Sequence, residues 1–291
     1  MSRRFRVAVP LLLAATALAV AGRWWWHARP PARAAAALPV APPIRAIPPD
    51  SVIEGPVVEQ QSVGDYRIRI VADTASHERV VDITREGRRV FARRSADFRI
   101  ERAGQDLTGD GQPDIFLIEF TGGLHCCTRG DVLELGRTFH DYGTIDGADG
   151  DVTLDDVDHD GIPEIKVGDF RFAYWRDVPF SDTPVPDVIL KLHGDHYEVA
   201  CDLMRQPPPG AASLREAARN LARGWTTGDP PVDLWGYAVD LVYSGNAADA
   251  WRLLDIAWPR DNPGRADFLS DLKQQLLGSP CYTPESEHPA S

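Results

Sequence analysis

Between residues 51 and 203 apolar and polar side chains alternate with the period of two that a half-buried β-strand requires. Tyr66, Ile68 and Ile70 face one way and Arg67 and Arg69 the other, and the stretches 79–83 and 88–91 flank a Glu86-Gly87 turn. The pattern predicts further strands at 97–100, 115–120, 131–135, 165–169, 188–192 and 197–200, the last two joined through His193-Gly194-Asp195-His196. Roughly ten or eleven strands make about three four-stranded units, fewer than a closed propeller needs. After Pro207-Pro208-Pro209-Gly210 the apolar period becomes helical. A capping box at Ser213-Leu214-Arg215-Glu216 opens a helix to 225, and Asp229-Pro230-Pro231 opens another to 244. Asn246 caps a third to 258, and 267–277 makes a fourth before Gly278.

The expected fold is therefore mainly β, either propeller-like blades that stay incomplete or a sandwich, followed by a small C-terminal α-helical domain. Its divisions are an N-terminal apolar segment at 1–27, a Pro/Ala-rich linker at 28–50, a β domain at 51–205, a helical domain at 211–278 and a tail at 279–291.

The first 27 residues carry Arg3, Arg4 and Arg6, then an apolar run that ends in Ala19-Val20-Ala21 before Trp24-Trp25-Trp26. That is the layout of a cleaved export signal. Residues 7–26 are also long enough to anchor the chain in a membrane, with the tryptophans at the interface. Both readings place the remainder outside the cytoplasm, periplasmic or secreted, with membrane contact only through this segment. Removing residues 1–33 takes away six Arg and no acid, leaving 25 basic against 43 acidic residues, a net charge of about −18. Such a surface repels phosphate backbones, which excludes nucleic acid as a partner.

The acidic residues are not scattered. Asp106-Leu107-Thr108-Gly109-Asp110-Gly111-Gln112-Pro113-Asp114 and Asp156-Val157-Asp158-His159-Asp160-Gly161-Ile162-Pro163-Glu164 start 50 residues apart and align without a gap through Phe120 and Phe170. In each, oxygen-bearing side chains stand at positions 1, 3, 5 and 9 with Gly at position 6, and an apolar run follows. A hard cation such as Ca2+ takes six to eight oxygens at about 2.3 to 2.6 Å, which alternate residues of a tight turn can supply. Neither loop is an EF-hand, since Leu117 and Val167 stand where that loop needs a bidentate Glu.

The paired loops, each with its strand, resemble the FG-GAP and VCBS-type repeats of integrin-like β-propellers, over about 100 residues and two repeats only. That resemblance implies Ca2+ ligands Asp106, Thr108, Asp110 and Asp114 with the Gln112 carbonyl, and Asp156, Asp158, Asp160 and Glu164 with the Ile162 carbonyl. Thr108 is neutral where the family carries Asn or Asp, so the earlier site is expected to be the weaker.

Four cysteines in an oxidising compartment favour disulfides: Cys201 with Cys281, and Cys126 with its neighbour Cys127. The rival reading makes His125-Cys126-Cys127 a nucleophile beside its base. Phe170, Phe172 and Tyr174 share one face of an expected strand, either as core or, with Trp175 beside Arg171 and Arg176, as an aromatic platform for a sugar or peptide. No nucleophile elbow, phosphate loop, zinc-helix motif or dinucleotide fingerprint is present. The sequence thus points to an exported, calcium-binding, non-catalytic module of the cell envelope, with a protein or glycan partner. The alternative is a carbohydrate-active hydrolase or a thiol enzyme.

Overall fold

The computed structural model describes residues 44–74, 76–123 and 127–284. Three antiparallel sheets follow one another along the chain. The first is a meander of β2 (Val57–Val63), β3 (Tyr66–Ala72), β4 (Arg79–Arg85) and β5 (Arg88–Ser95), with β1 (Arg45–Ala46) added on the edge of β5. The second is β6 (Asp97–Gln105), β7 (Asp114–Phe120), β8 (Thr128–Leu135) and β9 (Phe139–Asp146). The third is β10 (Thr153–Asp155), β11 (Glu164–Gly168), β12 (Asp187–His193) and β13 (His196–Val199). The architecture is mainly β, and the sheets close into neither a barrel nor a propeller.

Alternation along the strands explains how the sheets pack. In β7, Ile115 and Leu117 join Tyr66, Ile68, Ile70, Val81 and Ile83 of the first sheet in one core. Phe116 and Ile118, pointing the opposite way, join Ile165, Leu154 and Leu190 of the third sheet in another. The second sheet is therefore covered on both faces, which is why β7 reads as a continuous apolar run.

Four helices follow: α1 (Ala211–Leu221), α2 (Val232–Tyr243), α3 (Ala247–Ala257) and α4 (Arg265–Leu276). Their apolar faces share a core with Phe172, Trp175, Val188 and Ile189. The expected boundary near residue 205 is thus not a boundary in the packing, and the expected linker ends early, because Arg45 and Ala46 pair with Arg94 and Arg93 of β5. Cys201 and Cys281 are disulfide-bonded, with Cα atoms 5.6 Å apart, and tie the residues after α4 to the end of the third sheet.

Local corrections have local causes. The capping box does not form: α1 begins at Ala211 after Gly210, so Ser213 already lies within the first turn. Asn246 precedes α3 but gives its amide to the Gln206 and Ser244 carbonyls instead of capping. The strand expected through Phe170–Tyr174 is instead a series of 3-10 turns, Phe170–Phe172, Trp175–Asp177 and Phe180–Asp182, with Tyr174, Arg176 and Asp177 at positive φ. The aromatic platform is not formed either. Trp175 is 7% exposed and packs edge-on against Trp235 at 5.0 Å, Arg171 and Arg176 bind Asp169 and Asp229, and only Tyr174, 46% exposed, faces solvent.

Candidate cation-binding loops

The two Asp-rich loops occupy the same place in successive sheets. Residues 106–114 join β6 to β7 and residues 156–164 join β10 to β11, each linking the first strand of a meander to its second. The first sheet makes the same connection with a tight Gly64-Asp65 turn.

Hydrogen bonding repeats as well. The carboxylate at position 1 accepts from the amide at position 6: Gly111 N to Asp106 Oδ2 at 2.8 Å, and Gly161 N to Asp156 Oδ2 at 3.1 Å. The carboxylate at position 5 accepts from the amide at position 7, Gln112 to Asp110 and Ile162 to Asp160, both at 2.8 Å. The carboxylate at position 9 accepts from the amide at position 2, Leu107 to Asp114 at 2.7 Å and Val157 to Glu164 at 2.9 Å. Positions 4 and 6 are left-handed in both, Gly109 and Gly111 at φ 82° and 81°, His159 and Gly161 at 61° and 93°. Such a bend costs a side chain energy that glycine avoids, so His159 is the strained member of the four.

The loops also touch. A Cβ on Gly109 would come within 2.3 Å of Ile162 Cδ1, so the earlier loop packs against the later through a bare glycine. Tyr197, on β13, has a buried hydroxyl with no hydrogen-bond partner. Burial first, then Asp114, Tyr142 and Glu164, raises its pKa well above the ordinary phenol value. The charges of both loops thus reach one side chain.

The loops differ in what neutralises them. In the later one the Lys191 ammonium lies 2.5 Å from Asp158 Oδ2, 2.8 Å from Asp160 Oδ2 and 2.9 Å from Glu164 Oε1. These contacts raise the pKa of Lys191 well above the lysine range and lower that of Asp160. Among the described residues, the set of three acidic groups close enough to hold a metal, within 4.8 Å of one another, is Asp156, Asp158 and Glu164. The Lys191 ammonium touches two of these three, Asp158 and Glu164, while Asp156 Oδ1 is buried with no hydrogen-bond partner.

In the earlier loop Thr108 replaces the position-3 carboxylate and its hydroxyl lies 3.4 Å from Asp110 Oδ1 and 3.3 Å from Asp114 Oδ2. Asp114 is fully buried, and its Oδ1 has no partner. Burial, reinforced by Asp106 and Asp110, pushes its carboxyl up to about 7. Glu134, opposite Asp114 on β8, accepts from the Tyr142 hydroxyl at 3.0 Å. Burial and that bond to Glu134 push the Tyr142 phenol up to about 12. An acidic, oxygen-only lining with an unpartnered buried oxygen fits a hard cation; Asp106, Thr108, Asp110 and Asp114 would hold it, and it would neutralise their charge.

In the later loop the structure brings Asp156, Asp158 and Glu164 together, with Asp160 joined to Asp158 and Glu164 through Lys191; in the earlier loop the Thr108 hydroxyl links Asp110 and Asp114. Lys191, Glu134, Tyr142 and Tyr197 belong to the site and were not nominated, because they come from the next strands of the meanders. Strand register was the available signal, since Leu190 pairs with Ile165 and puts Lys191 beside Glu164.

Of the remaining candidates, His125 and Cys126, and with them the vicinal disulfide, lie outside the described residues; Cys127 is buried. An open groove of about 380 Å³ between Ser181–Val185 and α2 is lined by Asp182, Asp233 and Asp240, with no basic side chain. No helix among the described residues is long and apolar enough to cross a membrane. Compared with known proteins, the chain matches no family model, no curated protein and no solved structure.

Proposed function

We propose that this chain is an exported, calcium-binding, non-catalytic interaction module of the cell envelope, built from FG-GAP-like repeats. The observation that carries the reading is the recurrence of one loop, with the same three hydrogen bonds, at the same strand connection of two successive sheets. A turn that only links strands needs no oxygen at all of positions 1, 3, 5 and 9. The buried, unpartnered Asp114 Oδ1 supports a cation in the earlier loop. The Cys201–Cys281 bond and the N-terminal charged-then-apolar segment support a periplasmic or secreted location. On this reading the cation cancels the loop charge and fixes the end of the stacked sheets, and the acidic surface around it meets a protein or glycan partner.

Melting in calcium against melting in chelator tests the reading. A ligand at a hundredfold excess over its Kd stabilises by about 2.7 kcal/mol, which for a chain of this size is a rise in Tm of about 5 to 10 °C. An unchanged Tm would remove the calcium reading. The effect depends on pH with a definite sign. Folded Asp114 titrates near 7 and an unfolded Asp near about 3.9. Without calcium, the folded state holds the extra proton, so stability is present at low pH and lost as pH rises from about 4 to about 7. Calcium must displace that proton, so the Tm rise is expected to be larger at about pH 8 than at about pH 5.

A further inference from the structure

We propose that Lys191 is a built-in competitor for the later loop: its ammonium fills the cation position among the carboxylates when no metal is bound, and a divalent cation binds there by displacing it toward Glu198. The inference rests on the calcium reading of the loops and adds what sets the affinity of one of them.

The ammonium stands where a metal would. Its nitrogen lies 2.5 Å from Asp158 Oδ2, 2.8 Å from Asp160 Oδ2 and 2.9 Å from Glu164 Oε1. These oxygens come from positions 3, 5 and 9 of the loop, three of its four acidic side chains. Calcium sits about 2.3 to 2.6 Å from its oxygens, so an ion held by the same three would fall almost on the nitrogen. Two positive centres repel most strongly at such a distance. Metal binding by these carboxylates therefore requires the ammonium to leave.

Lys191 does not satisfy the whole loop. An ammonium has three hydrogens, and the three contacts to Asp158, Asp160 and Glu164 use them all. Asp156, at position 1, accepts from the Gly161 amide through Oδ2, while its Oδ1 is buried with no hydrogen-bond partner. Asp156 nevertheless belongs to the same cluster, with one oxygen within 4.8 Å of an oxygen of Asp158 and of Glu164. A buried carboxylate oxygen is costly to leave unpaired. A divalent ion takes six to eight oxygens, so it gathers Asp156 with the others and carries twice the charge of the ammonium it replaces.

The displaced side chain has somewhere to go. Lys191 lies on β12 directly opposite Glu198 of β13, and opposed residues of an antiparallel pair project from the same face. The Glu198 side chain is 56% exposed, so it receives the ammonium without burying a charge. The earlier loop has no such device. Asp114 is opposed on β8 by Glu134, whereas the pairing of Ile165 with Leu190 sets Lys191 beside Glu164. Lys191 thus governs the later loop alone.

Acylation of the purified protein with acetic anhydride, read by peptide mass spectrometry in calcium chloride and in chelator, tests the displacement without any substitution. The chain has three lysines, Lys166, Lys191 and Lys273. Calcium is expected to increase the labelling of Lys191 and to leave Lys166, which is exposed and paired with Asp187, unchanged. Calorimetric titration with calcium chloride tests the affinity, with folding of each variant checked by circular dichroism. Lys191→Gln removes the charge and keeps a polar side chain, and is expected to bind about ten- to a hundredfold tighter at one site. Lys166→Gln, which removes a charge elsewhere in the same sheet, is expected to bind as wild type does. Labelling of Lys191 that calcium leaves unchanged, or an unchanged affinity in Lys191→Gln, would overturn the competitor, and heat of binding in the same titrations would keep the calcium reading in place. No heat from wild type and Lys191→Gln alike would overturn both.

Discussion

Arg93→Met is expected to destabilise the protein by about 3 to 5 kcal/mol. Arg93 stands on β5 and reaches across to the second sheet, where its two terminal nitrogens bind Asp131 at 2.7 and 3.0 Å and one of them also binds Glu119 at 3.1 Å. Thr144 on β9 joins Asp131 at 2.6 Å, and Arg129 approaches the other Glu119 oxygen at 3.5 Å. Arg93, Glu119, Asp131 and Arg129 are all at most 5% exposed. Removing the guanidinium leaves two carboxylates in a dry interface, one with no countercharge and one with only the longer contact to Arg129. The cost is that of the stranded charges more than of the lost bonds. Arg93→Met/Asp131→Leu, which removes both members of the bidentate pair, is accordingly expected to recover most of the loss. Urea unfolding of the two variants checks this; a single variant within about 1 kcal/mol of wild type would show that water reaches the network.

Cys201→Ser/Cys281→Ser is expected to cost about 4 kcal/mol, lowering Tm by about 8 to 16 °C. The bond closes a ring with a sequence separation of 80 residues, and the chain-entropy account assigns about 4 kcal/mol to a loop of that length. The closed ring contains all four helices, so its loss frees the tail beyond α4 from the third sheet while leaving the cores between sheets intact. Faster proteolysis near the C-terminus, with the sheets protected, is the accompanying result. The double variant isolates this bond, whereas a reducing agent acts on every disulfide in the sample. A melting point unchanged by the double substitution would mean that packing of Leu272, Leu276 and Tyr282 already fixes this segment.

What was legible in the sequence followed from local periodicity. Alternation placed Tyr66, Ile68 and Ile70 in a core, Glu86-Gly87 and Gly194-Asp195 at hairpin turns, and the helices after Pro209. The two loops were legible because nine consecutive residues contain nearly all of their chemistry. Illegible parts depended on partners distant in the chain. Nothing local marks Arg93, Glu119, Arg129 and Asp131 for burial, and only the stacking of one sheet on another makes them buried partners. Nothing local marks Lys191, which lies between two leucines, as the cation of a loop some 30 residues earlier. At Phe170–Asp182 the strand periodicity gives way to 3-10 turns, in which Trp175 is buried against Trp235 and Phe268. Strand β9, whose sequence mixes Phe139, Tyr142 and Ile145 with polar residues and Gly143, gave no clean period.

The most direct test of the central claim, that the two Asp-rich loops are cation sites, is a crystal structure grown with calcium and examined for anomalous density. The account predicts a peak within the loops, among Asp106, Asp110 and Asp114 or among Asp156, Asp158 and Glu164. No peak in either loop would contradict it.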